Sequence, residues 1–309
     1  MGSHQAVLFN EAIEQLNIKS DGIYLDCTFG RGGHSRGILE HLGTQGKLLA
    51  IDRDIEAINS LEAKQLTKDT RFNLNHACFS ELNKIVTQQA LNGKLNGILL
   101  DLGVSSPQLD VAERGFSFLK EGPLDMRMDT SKGLSAAQYL AQVDEQELIK
   151  TIFELGEERF AKRIARAIIE QRTKQALETT LQLAKLIENA VPFRDKFKHP
   201  ATRTFQAIRM EINQELNEIR LALHQASSAL APGGRLVVIA FHSLEDRLVK
   251  RFIRDESGRK INPGRLPIKE KDIEQGLLTK VGKAIRANTL ELQNNPRARS
   301  AVMRVAEKL

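Results

Sequence analysis

The chain has no tryptophan, two tyrosines and two cysteines, Cys27 and Cys78, in 309 residues. Two thiols in a chain of this size make no disulfide framework. The shortage of Trp and Tyr argues against a ligand surface dominated by aromatic stacking. No apolar run reaches the ~18 residues that span a bilayer, and the first residues lack the charged-then-apolar pattern of a secretory signal. The expected setting is therefore the cytoplasm, with no membrane partner. The histidines are scattered and none forms a ligand-spaced pair with a cysteine or an acid, so no metal site is expected.

What is present suits a folded enzyme with a polyanionic partner. Hydrophobic residues make up 41% of the chain, enough to bury a sizeable core. The formal net charge is +6 and the sequence pI about 9.3, a balance that favours RNA or DNA.

The first third alternates strand and helix. Short apolar runs ending in an acid lie at Gly22–Asp26, Lys47–Asp52 and Gly97–Asp101, with another strand at Arg71–Asn75. Helical segments separate them: Val7–Leu16, His34–Leu42, Arg53–Lys64 and Ser80–Leu91. Strands alternating with helices predict a parallel, doubly wound α/β sheet. From 106 to 200 no strand is expected, and helices are predicted over Glu145–Leu155, Glu158–Arg172 and from Thr179 to Ala190. The sheet resumes with a long helix over 201–230, a stop at Pro232-Gly233-Gly234, a buried strand over Arg235–Phe241 and a last strand near Ser300–Val305. The expected organisation is a first catalytic part at 4–105, a helical insertion at 106–200 and a second catalytic part at 201–309.

The segment Asp26-Cys27-Thr28-Phe29-Gly30-Arg31-Gly32-Gly33-His34 is a glycine turn between a strand and a helix. Gly30, Gly32 and Gly33 let the backbone turn sharply and approach a ligand. Asp26 fits a role holding this loop or a ligand ammonium. Asp52 ends the next strand, where an acid accepts hydrogen bonds from two ribose hydroxyls. A dinucleotide fingerprint places a third glycine where His34 stands, so the spacing favours S-adenosylmethionine over NAD. Phe79 follows the third strand and could pack on an adenine face or in the core.

Asp101 opens the loop Asp101-Leu102-Gly103-Val104-Ser105-Ser106-Pro107-Gln108 at the carboxyl edge of the sheet. An aromatic amine is a poor nucleophile, and acceptors such as Asp101, Ser105 and Ser106 can hold its protons and free its lone pair. Methylation of a ring carbon uses a cysteine nucleophile, and neither cysteine lies on this loop; nitrogen is the favoured target. His242, after the fifth strand, either takes part at the same edge or caps the next helix. Arg159, Lys162, Arg163 and Arg166 lie opposite an apolar stripe, and Lys196, Lys198 and Arg203 follow; these are the candidate phosphate contacts.

These residues, with Arg114-Gly115-Phe116-Ser117-Phe118, Gly122–Met128, Gly156–Phe160, Phe241–Arg247 and Asn295–Ser300, resemble the bacterial ribosomal RNA small subunit methyltransferase H family, also called MraW. The resemblance runs in order over nearly the whole chain. It implies a Rossmann-like class I methyltransferase sheet with an inserted all-helical substrate-recognition domain. It also implies S-adenosylmethionine-dependent N4-methylation of a cytidine in the decoding region of 16S rRNA, acting on the rRNA or the small subunit. Oligomeric state, monomer or homodimer, is left open. The family's cofactor contacts fall on Gly32, Gly33, His34, Asp52, Phe79, Asp101 and Gln108. Two other classes remain to be tested: an RNA-binding assembly factor without turnover, and an NAD-dependent dehydrogenase.

Overall fold

A computed structural model describes residues 6–192, 199–258 and 275–309. The chain divides into two compact units, residues 1–103 with 216–309, and residues 104–215. The expected division at residue 200 falls inside the second unit.

The first unit carries a seven-stranded sheet. Its strands are β1 (Ile23–Asp26), β2 (Lys47–Asp52), β3 (Phe72–His76), β4 (Leu95–Asp101), β5 (Leu230–Ala240), β6 (Leu278–Ile285) and β7 (Val302–Lys308). Their order is β3-β2-β1-β4-β5-β7-β6. β1 to β5 run parallel, and β7 pairs antiparallel with both β5 and β6. The sheet is thus mixed rather than wholly parallel, and it has the Rossmann-like doubly wound form. The order reverses between β1 and β4, which places the switch point, and the ligand crevice of such sheets, at their carboxyl ends.

Strand residues alternate between two apolar layers. Leu25, Leu49, Ile51, Ile98, Leu100 and Val238 face one layer. It is completed by α5 (Leu82–Gln88), α12 (Glu215–Ala229) and α13 (Ser243–Glu256). Tyr24, Leu48, Ala50, Leu99, Val237 and Ile239 face the other, against α1 (Phe9–Leu16) and α2 (Gly33–His41). Burial on both faces explains why these strands read as continuous apolar runs.

The helix expected over 53–64 is two short helices, α3 (Ile55–Ile58) and α4 (Leu61–Leu66). Asp54 and Ser60 each cap one of them, accepting from the backbone of Glu56 and Ala63. β5 begins earlier than expected: Leu230 pairs with Leu95 and Arg235 with Gly97, so the Ala231–Gly234 stretch is a bulge inside the strand. Pro232 has no N–H for a ladder, and Gly233 takes φ 76°, so the pairing loops out there and then resumes. The exposed residues of β6, at the sheet edge, hid it from periodicity.

The second unit, in its described residues, consists of helices and loops without a strand; one isolated bridge joins Pro123 and Thr179. α6 (Ser106–Asp110) and α7 (Ala136–Gln142) open it. α8 (Glu145–Gly156), α9 (Ala161–Lys174), α10 (Thr180–Ala190) and α11 (Ala201–Ile212) pack around Leu148, Ile152, Ile164, Ile168, Leu183 and Ile208. The helix expected over 201–230 breaks at Asn213 and Gln214. Gln214 takes φ 50°. The buried Asn213 amide donates to the carbonyl oxygens of Met126 and Arg209 and accepts from Met128 N–H at 2.8 Å. The apolar stripe continues through the break because its halves enter different cores. Phe205 and Ile208 lie in the helical unit's core, Ile219 and Leu223 in the sheet's.

Gly97 pairs with Tyr24 across β1 and β4, and a Cβ there would sit 2.8 Å from the buried tyrosine ring. Gly97→Val should therefore lower the unfolding free energy by about 1–3 kcal/mol through overpacking, read as a drop in the urea midpoint at unchanged slope.

Candidate active site

Five parallel strands end at the carboxyl edge of the sheet, and hydrogen bonds tie β1, β2 and β4 together there. Asp26 ends β1 with its side chain fully buried. One carboxylate oxygen accepts from Ser35 Oγ at 2.6 Å, which ties β1 to the start of α2. The other accepts from Thr28 N–H at 3.0 Å. Thr28 Oγ1 in turn accepts from Asp101 N–H at 2.7 Å, so the loop after β1 is clamped to the end of β4. Of the two parts expected for Asp26, the geometry displays the loop-holding one.

Gly30 and Gly32 take φ 55° and 68°, a left-handed backbone that side chains disfavour. Beyond Gly30 nothing but a carbonyl oxygen at 3.9 Å would meet a Cβ, so its face is open. Gly32 is closed instead, and a Cβ there would strike Leu66 and Phe29. Gly33 is the first residue of α2, packed near Ala6.

Asp52 ends β2. Its carboxylate accepts from Gly30 N–H at 2.7 Å and Asp54 N–H at 2.8 Å, one on each oxygen. Each oxygen keeps a second lone pair for another donor. Burial pushes this carboxyl up to about 6, against the pull of those two backbone donors. Phe79 opens a short 3-10 turn after β3 and is partly buried against the sheet's core, so the core reading describes part of its surface.

Asp101 ends β4. One oxygen, Oδ2, lies 3.6 Å from His34 Nδ1, and the other, Oδ1, is buried without a hydrogen-bond partner among the described residues. Burial first, then the nearby Asp26 and Glu245 carboxylates, push this carboxyl well above its ordinary range. His34 is 4% exposed, and its Nε2 lies 3.2 Å from the Val7 carbonyl oxygen. Burial pulls the imidazole below its ordinary value, against the opposing pull of Asp26.

His242 is the N-cap of α13, its side chain accepting from Glu245 N–H at 3.4 Å. This is the capping alternative. The fully buried Glu245 reaches back to Phe241 N–H at 2.9 Å and His242 N–H at 3.3 Å. Sequence reasoning missed Glu245; the signal was the His-x-x-Glu spacing of a capping box. Ser105 and Gln108 form another such box in the helical unit, where Ser105 N–H donates to Gln108 Oε1 at 3.0 Å. Gln108, implied by the resemblance as a cofactor contact, is buried and has this capping part. Ser106 is the first residue of α6.

Arg159, Lys162, Arg163 and Arg166 are exposed along one side of α9 and the turn before it. Arg159 lies over the Phe160 ring, and Arg166 pairs with Glu145 at 3.2 Å. Arg203 is partly engaged by Glu158 at 3.9 Å and the Glu157 carbonyl. Lys196 and Lys198 lie outside the described residues.

The donor set fits an adenosyl cofactor: a carboxylate at the end of β2 with lone pairs to offer, an open glycine turn, and an orphaned acceptor at the end of β4. Hydroxyl donors would bind the ionised Asp52, and with the carboxyl at about 6 only about a tenth is ionised at pH 5. Affinity for S-adenosylmethionine should therefore fall about tenfold between pH 8 and pH 5. The same raised carboxyl acts oppositely on the unliganded fold, contributing stability as the pH falls from about 6 toward 3.8. Asp52→Asn should remove this step from the binding curve, and Asp52→Ala should weaken binding more than tenfold, both read by calorimetric titration.

Residues 1–309 match the model of the MraW methylase family. The chain is 56% identical to the ribosomal RNA small subunit methyltransferase H of Pseudoalteromonas atlantica, over 99% of this chain and 98% of that one. It is 54% identical to the protein of the same name from Methylococcus capsulatus, over 97% and 99%. Among solved structures it is similar to an rRNA methylase from Streptococcus thermophilus, with a TM-score of 0.42, 11% identity and coverage of 100% and 99%. The methyl donor is S-adenosylmethionine. Full-length agreement with the family's model and with these relatives, over a sheet that ends in the Asp26, Asp52 and Asp101 carboxylates, makes the chain a member of the MraW methylase family.

Proposed function

We propose that this protein is an S-adenosylmethionine-dependent rRNA methyltransferase that methylates the exocyclic N4 amine of a cytidine in the decoding region of 16S rRNA. Its substrate is the small ribosomal subunit or its rRNA, and it works in the cytoplasm. The names of the relatives support methylation of small-subunit rRNA. The observation that carries the choice of an amine is Asp101 Oδ1, a buried acceptor at the end of β4 with no partner of its own among the described residues.

Bound at the carboxyl edge, the cofactor supplies a methyl group already activated on a sulfonium. The protein's contribution is position and electrostatics. Asp26 holds the glycine turn, Asp52 takes the ribose hydroxyls and Phe79 offers a face to the adenine. Gly30, Gly32, Gly33 and His34 shape the turn, and Gln108 keeps the contact that the family resemblance implies. Asp101 Oδ1 accepts an N–H of the amine, which draws the nitrogen lone pair out of conjugation and aims it at the methyl carbon. The Ser105 and Ser106 hydroxyls assist in holding the base. His242 contributes through the α13 cap at the same edge.

A base inside paired rRNA has to leave its stack to be reached. Phosphate contacts from Arg159, Lys162, Arg163, Arg166 and Arg203, with Lys196 and Lys198, hold the flanking backbone. This binding is salt-dependent, as counterion release requires. The reading as a non-catalytic assembly factor leaves the orphaned Asp101 oxygen without a use.

Transfer of a tritiated methyl group to small subunits lacking the modification, followed by mapping of the labelled nucleotide, tests the proposal. Label at cytidine N4 is expected. Label on a ring carbon or a ribose oxygen would overturn it. Asp101→Ala should reduce transfer at least a hundredfold while S-adenosylmethionine still binds. Arg163→Glu should weaken rRNA binding several-fold with the donor affinity unchanged.

A further inference from the structure

The two acceptors that face each other at the site need a proton between them. His34 Nε2 lies 3.2 Å from the Val7 carbonyl oxygen, a group that can only accept, so Nε2 carries hydrogen. A neutral imidazole then has a bare lone pair on Nδ1. That nitrogen lies 3.6 Å from Asp101 Oδ2. A bare nitrogen and a carboxylate oxygen at ion-pair distance repel unless one is protonated, and the imidazole is buried while the Asp101 side chain is only partly exposed. The ring has little room to turn away, being 4% exposed and stacked beside Phe9 with centroids 6.1 Å apart.

We propose that His34 is a positioning residue for Asp101: facing each other at 3.6 Å, the two carry one proton as an ion pair, on Nδ1 or on Oδ2, and this pair keeps Oδ1 available as the acceptor for the substrate amine. The inference rests on the reading of Asp101 given above and extends it to the imidazole, whose side chain that reading leaves without a part. Two charged neighbours face the pair. Asp26 from β1 faces both members, and Glu245 from α13 faces Asp101. Two nearby carboxylates and burial make an isolated, ionised Asp101 unfavourable. They also favour the proton's presence on the pair as a whole.

When the amine donates its N–H to Oδ1, the ionised carboxylate is the better acceptor, and the shared proton settles on Nδ1. The new N–C bond forms as the sulfonium's S–C bond breaks, and the donor leaves as a neutral thioether. The nitrogen, now cationic, gives its proton to Asp101 Oδ1. The Nδ1 proton stays where it is. Asp101 returns its new proton to water after the product leaves. His34 thus lowers the acidity threshold of Asp101 without touching substrate.

Two isosteric changes separate this part from a packing role. His34→Gln keeps a donor near the Nε2 position and removes the group at Nδ1. His34→Asn keeps a donor near Nδ1 and removes the Val7 contact. In single-turnover methyl transfer, His34→Gln should slow the step at least tenfold at pH 7 and move the acid limb of the rate profile to higher pH. S-adenosylmethionine is kept saturating for each variant, so that a change in donor affinity does not enter the measured rate. His34→Asn should recover most of the rate. Equal impairment by both variants, or a wild-type profile in His34→Gln, would overturn the pairing.

Nitrogen-15 spectra of the labelled imidazole give a readout that needs no turnover and no folded variant of His34. Nε2 should stay protonated throughout, and Nδ1 should titrate at lower pH in Asp101→Asn than in the unaltered protein. An unchanged titration would sink the proposal. If Asp101→Asn transfers methyl at the normal rate, the reading of Asp101 itself fails. If Asp101→Asn is inactive while His34→Gln is normal, the pairing alone fails.

Discussion

One buried carboxylate holds the catalytic edge together. Asp26 has no exposed surface, and it binds Ser35 of α2 and Thr28 of the following loop. Through the Thr28 hydroxyl it reaches the Asp101 backbone at the end of β4. Charge-assisted bonds of this kind are about twice as strong as neutral ones, and they are strongest where water is excluded. The glycine turn takes two left-handed residues that an untethered loop would sample only in part. Anchoring it converts a flexible connection into a fixed wall for a ligand.

The rest of the edge follows from this tether. Asp52 reaches over to Gly30, so the ends of β2 and β1 are joined by a carboxylate too. Asp101, held by its backbone, presents its side chain to His34, which the same turn delivers. Three acids and one histidine therefore stand together at this edge, and burial and neighbouring carboxylates raise Asp52 and Asp101 above the ordinary carboxylate range. Such a site is primed for a cationic ligand, and a sulfonium is one.

Much of the sheet was legible because its strands are buried on both faces and end in acids. Asp26, Asp52 and Asp101 mark the carboxyl ends of β1, β2 and β4 in the structure as in the sequence. β6 was not legible. An edge strand exposing Thr279, Lys280, Gly282 and Lys283 has no apolar stripe to read. The break between α11 and α12 was hidden for the opposite reason: periodicity persisted through it, and only the asparagine at 213 marked a place where a side chain competes with the helix. At the site, residue types were readable but pairings were not. Nothing in the spacing of His34 and Asp101 says that their side chains meet, because that depends on the order β1-β4 in space. His242 read equally as catalytic or capping, and the hydrogen bonds of Glu245 display the cap.

The helical unit interrupts the sheet between β4 and β5, which has a consequence for how the chain reaches its native state. Asp101 pairs beside Ile239, so the last parallel contact closes a long loop and raises the contact order of the sheet. The thermodynamic penalty is small, about 0.6 kcal/mol for each doubling of loop length. The kinetic penalty is larger, since β1 to β4 leave the ribosome with an unpaired flank that waits for β5 and β7. An insertion with its own apolar centre can collapse during that interval. Synthesis from the N-terminus thus favours a nascent chain whose helices are packed before its sheet is complete.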